Sequence, residues 1–298
     1  MITKRIIDEK GIDQTEDTVL VLGYFDGLHK GHQALFEKAR EIATEQGLKI
    51  AVLTFPESPK LAFVRYQPEL MLHLASPEDR IAQLESLGVD YLYLIDFTSH
   101  FAGNTARDFF EKYVSRLRAK AVVAGFDYHF GSDRKESHEL RDYFNGKIVI
   151  VPSVNLDNRK ISSTRIRETI TVGDMLKTQE LLGYPLSTRG IVVHGNARGR
   201  TIGYPTANLA PLDRVLLPGD GVYVADVEHN GQRYRGMASV GKNVTFDGDE
   251  LRFEVNIFDF SQDIYGDSIR IFWLDKIREM VKFDGIDSLT ADGAPWSE

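Results

Sequence analysis

The sequence predicts an α/β domain built on a parallel sheet with helices on both faces, followed by a small, mostly antiparallel β-domain. Three observations carry this. In the first half, short continuous apolar runs rich in β-branched residues alternate with stretches of helical period, the pattern of βαβ units. Beyond about Leu182–Pro185 the apolar runs are separated by turns and no longer by helices. A length of 298 residues is enough for two cores, and the boundary is expected between domains 1–182 and 183–298.

The strands of the first half are expected at "TVLVLG" (18–23), "KIAVLTF" (49–55), "VDYLYLID" (89–96), "AVVAG" (121–125) and "KIVIVPSV" (147–154). Each is short and apolar throughout, as a strand covered on both faces must be. Between them, "GHQALFEKAREIATEQG" places Ala34, Leu35, Ala39, Ile42 and Ala43 on one stripe, with Gly47 as its stop. "SPEDRIAQLESLG" offers Ser76 as N-cap, Pro77 in the first turn and Asp79 at the capping-box position. "NTARDFFEKYVSRL" has Asn104 or Thr105 as cap. One further helix is expected over "TRIRETITVGDMLKTQELLG", linking the two domains. In the second half, Asn230-Gly231 separates "GVYVADV" from "RYRGMASV", a strong type I′ hairpin signal. "LRFEVNIFDF" and "SIRIFWL" supply further strands of a barrel or sandwich. No long-period repeat or low-complexity segment interrupts this order.

Composition limits the function classes. Apolar residues make up 42% and charged residues 27%, ordinary for a folded soluble chain. The net charge of −8 argues against broad nucleic-acid or anionic-membrane binding, since both need a basic face. The absence of cysteine excludes disulfides, thiolate metal sites and cysteine nucleophiles. "MITKRIIDEK" lacks the apolar core of a secretory signal, and no apolar run reaches membrane-span length. A cytoplasmic protein is expected, with small-molecule partners, as a monomer or weak homo-oligomer.

The first chemical constellation is "GYFDGLHKGH", Gly23 to His32. It follows a buried strand and opens a helix, where an open parallel sheet binds its ligands. The glycines admit positive φ and close backbone approach, and the helix N-terminus favours an anion. His29 and His32 would add donors beside phosphate oxygens. Two alternatives stand beside this: a metal held by histidines three apart, although no HExxH pattern or third ligand is nearby, and an ordinary strand–helix turn with two exposed histidines. "ISSTRIRE", Ile161–Glu168, shifts the balance. Ser162, Ser163 and Thr164 are cap residues, yet Arg165 and Arg167 enter the first turn, where cations suit a helix poorly unless an anion lies between. Two such turns after parallel strands point to a nucleotide polyphosphate site.

The second constellation is "GNARGRTIGYPTANL", Gly195–Leu209. Arg198 and Arg200 could meet phosphates, and Thr206 and Asn208 could hold hydrated Mg²⁺ through oxygen. The plain alternative is a polar hairpin loop. "GMASVGKN", Gly236–Asn243, nearly matches a P-loop but is rejected: Asn243 replaces the required hydroxyl residue, and a hairpin follows instead of a helix. In "RFEVNIFDF", Arg252, Glu254 and Asn256 share a face opposite Phe253, Val255 and Ile257. That makes Glu254 a candidate general base; by itself it would read as an exposed strand glutamate.

These residues carry a resemblance. "GYFDGLHKGH", "ISSTRIR" and "GFDYHFG" (125–131) are similar to the adenylyltransferase half of prokaryotic bifunctional riboflavin kinase/FAD synthetases, within the HxGH nucleotidyltransferases. "GRTIGYPTAN", "NVTF", "FEVNIFDFSQDIYG" and "KIREMVKFDGIDSL" resemble the riboflavin kinase module, a six-stranded antiparallel barrel. Together they span nearly the whole chain in the family's order. The resemblance implies a Rossmann-like nucleotidyltransferase domain that adenylylates FMN to FAD with release of pyrophosphate, then a kinase domain that phosphorylates riboflavin at its 5′-hydroxyl, both with ATP and Mg²⁺. It implies Glu254 as catalytic base, Thr206 and Asn208 at the metal and phosphates, and His29, His32 and Arg165 at the adenylyl-transfer centre. Gly23, Phe25, Asp26, Gly27, Gly31, Ser163, Thr164 and Arg167 would line the first ATP site, and Gly195, Arg198, Gly199, Arg200 and Gly203 the second. Phe55, Pro59, Asp127, Tyr128 and Phe130 would meet the flavin.

The chain departs from the family pattern at several places. "TFPESP" (54–59) stands where an acidic residue and a histidine are usual, which weakens the expected hold on FMN. "FGSDRKES" puts Asp133 and Glu136 where a basic residue and glycine are usual. Val244 replaces a proline, Asn256 a histidine, and "TADGAPWSE" lacks a closing amphipathic helix. Three competing readings remain: loss of one activity, adenylyl transfer being the more exposed to it; a non-enzymatic flavin or nucleotide sensor; and a metal-dependent hydrolase built on the two histidines.

Overall fold

A computed structural model describes residues 1–195, 206–245 and 248–279, with backbone alone for 242–245 and 248–250. The chain divides into two compact units, Met1–Arg165 and Ile166–Glu298. Among the described residues no helix is long and apolar enough to cross a membrane.

The first unit is a six-stranded, wholly parallel sheet. Its strands are β1 (Ile2–Ile6), β2 (Thr18–Leu22), β3 (Lys49–Thr54), β4 (Tyr91–Ile95), β5 (Ala119–Gly125) and, after the two-residue strands β6 (His129–Phe130) and β7 (Lys135–Glu136), β8 (Lys147–Val151). The order is β1-β4-β3-β2-β5-β8. The five expected strands are present with shifted ends, and β1 is a sixth that the sequence reading missed. It lies at the sheet edge with mostly exposed side chains, so its sequence carries charges instead of an apolar run.

Helix α1 (Lys30–Gln46) covers one face, with α2 (Pro77–Ser86). The other face is covered by two short turns of helix, α3 (Ser99–Ala102) and α4 (Ala106–Phe109), the latter running into a wider turn over Phe110–Val114. The pleat of β2 sends Val19 and Val21 to the core shared with Leu35, Phe36 and Ala39 of α1. Leu20 and Leu22 go to the opposite core with Phe101, Phe109 and Tyr113. Each fully buried valine, leucine or phenylalanine among them contributes about 1.5–3 kcal/mol. The caps form as expected: Ser76 accepts from the Asp79 N–H, Gly47 closes α1 with φ +66°, and Thr105 forms a capping box with Asp108. A hairpin of β9 (Asn155–Leu156) and β10 (Arg159–Lys160) precedes α5.

The expected single helix over Thr164–Gly183 is two, α5 (Ser163–Val172) and α6 (Met175–Leu182). Gly173 at φ +80° breaks it and Asp174 caps the second piece by accepting from Lys177 N–H. A Cβ at Gly173 would meet the Lys276 side chain at 2.9 Å, so close packing as well as the turn requires glycine there.

The second unit is a closed antiparallel barrel of β11 (Ser187–Val193), β12 (Ala207–Pro211), β13 (Gly221–His229), β14 (Gln232–Thr245), β15 (Gly248–Ile257) and β16 (Ser268–Arg278), in the order β11-β12-β15-β14-β13-β16. Its interior holds Tyr223, Phe253 and Trp273; the indole N–H of Trp273 donates to Thr188 Oγ1 at 2.9 Å. The near-P-loop segment Gly236–Asn243 is continuous strand, paired from Gly236↔Ile257 to Asn243↔Glu250, so the rejection on grounds of a missing helix agrees with the fold.

The β13–β14 turn has Asn230 at φ +49° and Gly231 at φ +77°, as a type I′ turn requires. A Cβ at Gly231 meets nothing within 4 Å, so only backbone strain opposes a side chain there. Gly231→Ala is expected to cost about 1 kcal/mol, read as a lowered urea midpoint of barrel unfolding. An unchanged midpoint would show that the turn places no left-handed demand on this residue.

Candidate active sites

In the first unit the carboxyl ends of β2, β3 and β5 lie side by side, with Leu22 opposite Leu53 and Ala124. The segments beginning at Gly23, Phe55 and Phe126 therefore leave the sheet together, at the point where strand order reverses. Phe25 (φ +59°), Gly27 (φ +74°) and Leu28 (φ +36°) give the loop after β2 a left-handed path. The Phe25 ring is buried, edge-on to His32 at 5.3 Å, and lies 2.7 Å from where a Gly23 Cβ would be. Glycine at 23 thus makes room for Phe25, whose side chain shapes the loop from beneath. Asp26 is also buried: its carboxylate accepts the Leu74 N–H at 2.8 Å and its carbonyl accepts the Ser163 hydroxyl at 3.3 Å. The turn at Ile161–Thr164 is brought onto this loop, and the Ile161 carbonyl lies 3.6 Å from a Cβ built on Gly31.

His29 caps α1, its Nδ1 accepting the His32 N–H at 3.2 Å, so its own proton sits on Nε2. The two imidazoles stack with centroids 3.7 Å apart at 14°. In-plane lone pairs of stacked parallel rings do not converge on one point, which disfavours a shared metal. Among the described residues no group of three or more His, Cys, Asp or Glu could hold a metal ion. Burial pushes the His29 pKa down to about 4. Burial, helped by the charges on Arg80 and Lys160, holds His32 well below the ordinary range. Both are neutral at physiological pH and present N–H donors, not fixed charge. His32 Nδ1 is closed to solvent without a hydrogen-bond partner, a site for a ligand oxygen or a rotated ring to satisfy.

The other expected residues are placed as follows. Arg165 is buried; one guanidinium nitrogen donates to the carbonyls of Leu156 and Arg159, both at 2.9 Å, and another lies 3.5 Å from Asp157. Arg165 therefore clips the β9–β10 hairpin. Lys160 of that hairpin pairs with Asp127 and lies 4.6 Å over the Phe126 ring. Thr164 is exposed and Arg167 half-buried. Phe55 packs against Phe97 and Phe101, Tyr128 stacks with Phe130, and Pro59 opens a short 3₁₀ turn. Asp133 accepts the Ala106 N–H at 2.8 Å, capping α4 from a distance.

Sequence reasoning missed Arg80, Lys160 and His73. Arg80 is 7% exposed and donates to the Phe55 carbonyl (2.8 Å), Thr54 Oγ1 (2.6 Å) and the Tyr24 carbonyl. Its signal was its place four residues before Leu84, on the buried face of α2.

In the barrel, the register sets Asn208 directly opposite Glu254, and Glu254 opposite Ser239. Phe253, Val255 and Ile257 point inward, while Arg252, Glu254 and Asn256 are half-exposed on the outer face, as expected. Arg252 Nε lies 3.5 Å from Glu254. Val193 pairs with Asn208, and Gly195 lies so close to the Asn208 amide that any side chain at 195 would collide with it. Thr206 immediately precedes β12 and is half-buried. Arg198, Gly199, Arg200 and Gly203 lie outside the described residues, as do the side chain of Val244 and the tail "TADGAPWSE".

The FAD synthetase family model matches residues 11–165, and the riboflavin kinase model residues 182–294. The bifunctional riboflavin kinase/FMN adenylyltransferase of Listeria monocytogenes is 40% identical over 277 residues, covering 92% of this chain and 88% of that protein. Its counterpart in Bacillus subtilis is 38% identical over 284 residues, covering 93% and 90%. A crystal structure described as a macrolide-efflux protein from Streptococcus pneumoniae superposes with a TM-score of 0.95 at 56% identity, covering 98% of this chain and 96% of that one.

The histidine pair has a consequence for stability. With a native pKa of about 4 against an ordinary 6.5, the unfolded chain binds a proton that native His29 refuses. Stability is therefore full above pH 6.5 and falls as pH drops towards 4, by on the order of 3 kcal/mol from this residue. His29→Asn keeps a capping acceptor but does not titrate. Its urea midpoint is expected to fall less steeply between pH 6.5 and 4 than that of the native sequence; equal slopes would contradict the assignment.

Proposed function

The chain belongs to the bifunctional riboflavin kinase/FMN adenylyltransferase family, and from that premise we propose how its own residues divide the two reactions. ATP, riboflavin and FMN are the substrates. The functional boundary is taken between residues 182 and 183, close to the start of the kinase match at 182; from Ile166 onward α5 and α6 fall within the same compact unit as the barrel.

In adenylyl transfer a phosphate oxygen of FMN attacks the α-phosphorus of ATP and pyrophosphate departs. The nucleophile is already anionic, so no base is needed; the demand is for donors around charge that moves from one phosphate to another. The reading rests on the loop after β2, where His29 and His32 stack at the N-terminus of α1 and the Ser163 hydroxyl joins the same loop. His29 Nε2–H and His32 donate to phosphate oxygens, with the backbone of Gly27 to Gly31 behind them. Arg165 is a positioning residue that acts through the hairpin carrying Lys160, the cation of that hairpin that lies over Phe126. Phe55, Pro59, Asp127, Tyr128 and Phe130 are assigned to the flavin side.

In riboflavin phosphorylation the nucleophile is a neutral hydroxyl. Glu254 takes its proton as the oxygen attacks the γ-phosphorus. The placement of Asn208 directly opposite Glu254 supports this. Thr206 and Asn208 offer oxygen donors suited to Mg²⁺, which would neutralise phosphate charge when bound; with only neutral ligands from the protein, phosphates and water would complete its shell. Gly195 leaves the Asn208 amide room at the loop. The protein is placed in the cytoplasm, as a monomer or weak homo-oligomer.

The division of labour is tested by separating flavins after incubation with ATP and Mg²⁺. Glu254→Gln should lower FMN formation by roughly 10²–10⁴-fold while still converting supplied FMN to FAD. His32→Ala should do the reverse. A folded variant that lost both activities would refute the assignment of one reaction to each domain.

A further inference from the structure

We propose that His73 is a positioning residue for adenylyl transfer, which with Glu57 latches the segment following β3 to the nucleotide loop following β2. The latch rests on the assignment of that reaction to the first unit. His73 belongs to neither segment. It precedes α2, is 5% exposed, and its Nδ1 lies 3.3 Å from the Tyr24 hydroxyl. Its Nε2 lies 3.2 Å from Glu57 Oε2, at ion-pair distance. Tyr24 starts the loop that carries His29 and His32; Glu57 stands in "TFPESP", between Phe55 and Pro59.

The surrounding contacts make the same connection. Leu74, next to His73, donates its N–H to Asp26 of the nucleotide loop at 2.8 Å. Arg80, at the other end of the same stretch, reaches the Phe55 carbonyl at 2.8 Å and the Tyr24 carbonyl with one guanidinium. Thr54 Oγ1 donates to the Tyr24 carbonyl at 2.9 Å. His73, Leu74 and Arg80 thus touch the segments after both strands with polar groups. A buried polar contact of this kind seldom adds net stability over an apolar filling of equal shape, so packing alone gives no reason for a histidine here. It does tie two segments through one ring: Nδ1 lies beside the Tyr24 hydroxyl and Nε2 beside the Glu57 carboxylate.

What such a fixed relation can do follows from the reaction. FMN must place its ring on the segment after β3 and its phosphate in line with the ATP α-phosphorus on the loop after β2. Both substrates are bound by parts the latch joins, and an error of about 1 Å between them can cost 10²-fold in rate. The segment Thr54–Pro59 contains no histidine of its own; His73 brings one to it through space.

The test uses the full chain and measures FAD formation from supplied FMN, FMN formation from riboflavin, and thermal unfolding. His73→Phe keeps ring shape and removes both polar contacts. It should raise KM for FMN and lower kcat for adenylyl transfer, together by roughly ten-fold or more in kcat/KM. KM for ATP and the kinase rate should stay within about two-fold. Glu57→Gln, at a more open position, should show the same split and carries the test if His73→Phe does not fold. His73→Gln, which can still reach the carboxylate, should recover part of the loss. Adenylyl-transfer constants unchanged in both His73→Phe and Glu57→Gln, with or without a lowered melting temperature, would overturn the latch. His32→Ala is run alongside: if it abolishes FAD formation while the latch variants are silent, the latch alone fails, and if it too is silent, the site assignment fails with it.

Discussion

The first unit depends on one buried cation. Two parallel strands, β2 and β3, end side by side and their chains must separate without leaving carbonyls unpaired in the interior. The Arg80 guanidinium resolves this by donating to Tyr24, Thr54 and Phe55 together. Burial pushes its pKa down from the usual arginine value, yet the fork geometry of arginine is what three acceptors on two segments require. With Tyr24 held, the next residues can take the left-handed path that brings His29 to the start of α1. Burial keeps His32 neutral, and the same positive charge, with that of Lys160, adds to the effect.

On the proposed assignment of residues, the two halves meet opposite chemical demands with different architecture. Where the nucleophile is already charged, the chain supplies donors from loops and a helix terminus and keeps its histidines neutral by burial. Where the nucleophile is a hydroxyl, it supplies a carboxylate from a strand, and the pleat alone keeps Glu254 out of the barrel interior. Loops bend round a polyphosphate; a strand fixes one group against its neighbour. Each solution follows from the backbone that carries it.

Much of this was legible in the sequence, because the signals were local. Apolar runs gave five of the six sheet strands, and Asn230-Gly231 gave a hairpin. Period-2 alternation put Glu254 on the polar face of β15. The failures were of two kinds. β1 was hidden because an edge strand needs no apolar run, and the helix over Thr164–Gly183 was read through a glycine that stops it. The other kind is non-local. His73 meets Tyr24 and Glu57 across 49 and 16 residues of chain, and no spacing rule reports such a contact. Arg165 pointed to an anion because its helix start was visible and the hairpin carbonyls it binds were not. A charge in sequence says what a residue can donate; only the fold says to whom.

The barrel carries its chemistry on a short join. Among the described residues β12 meets β15 through Ala207↔Val255 and Asn208↔Glu254, two pairs, whereas β14 meets β15 through ten. Glu254, the proposed general base, and Asn208 form one of those pairs. Opening of that junction would separate the two side chains without unpairing β14 from β15. On the proposed assignment, phosphoryl transfer would then report closure of this junction, which bulk measures of folding average away.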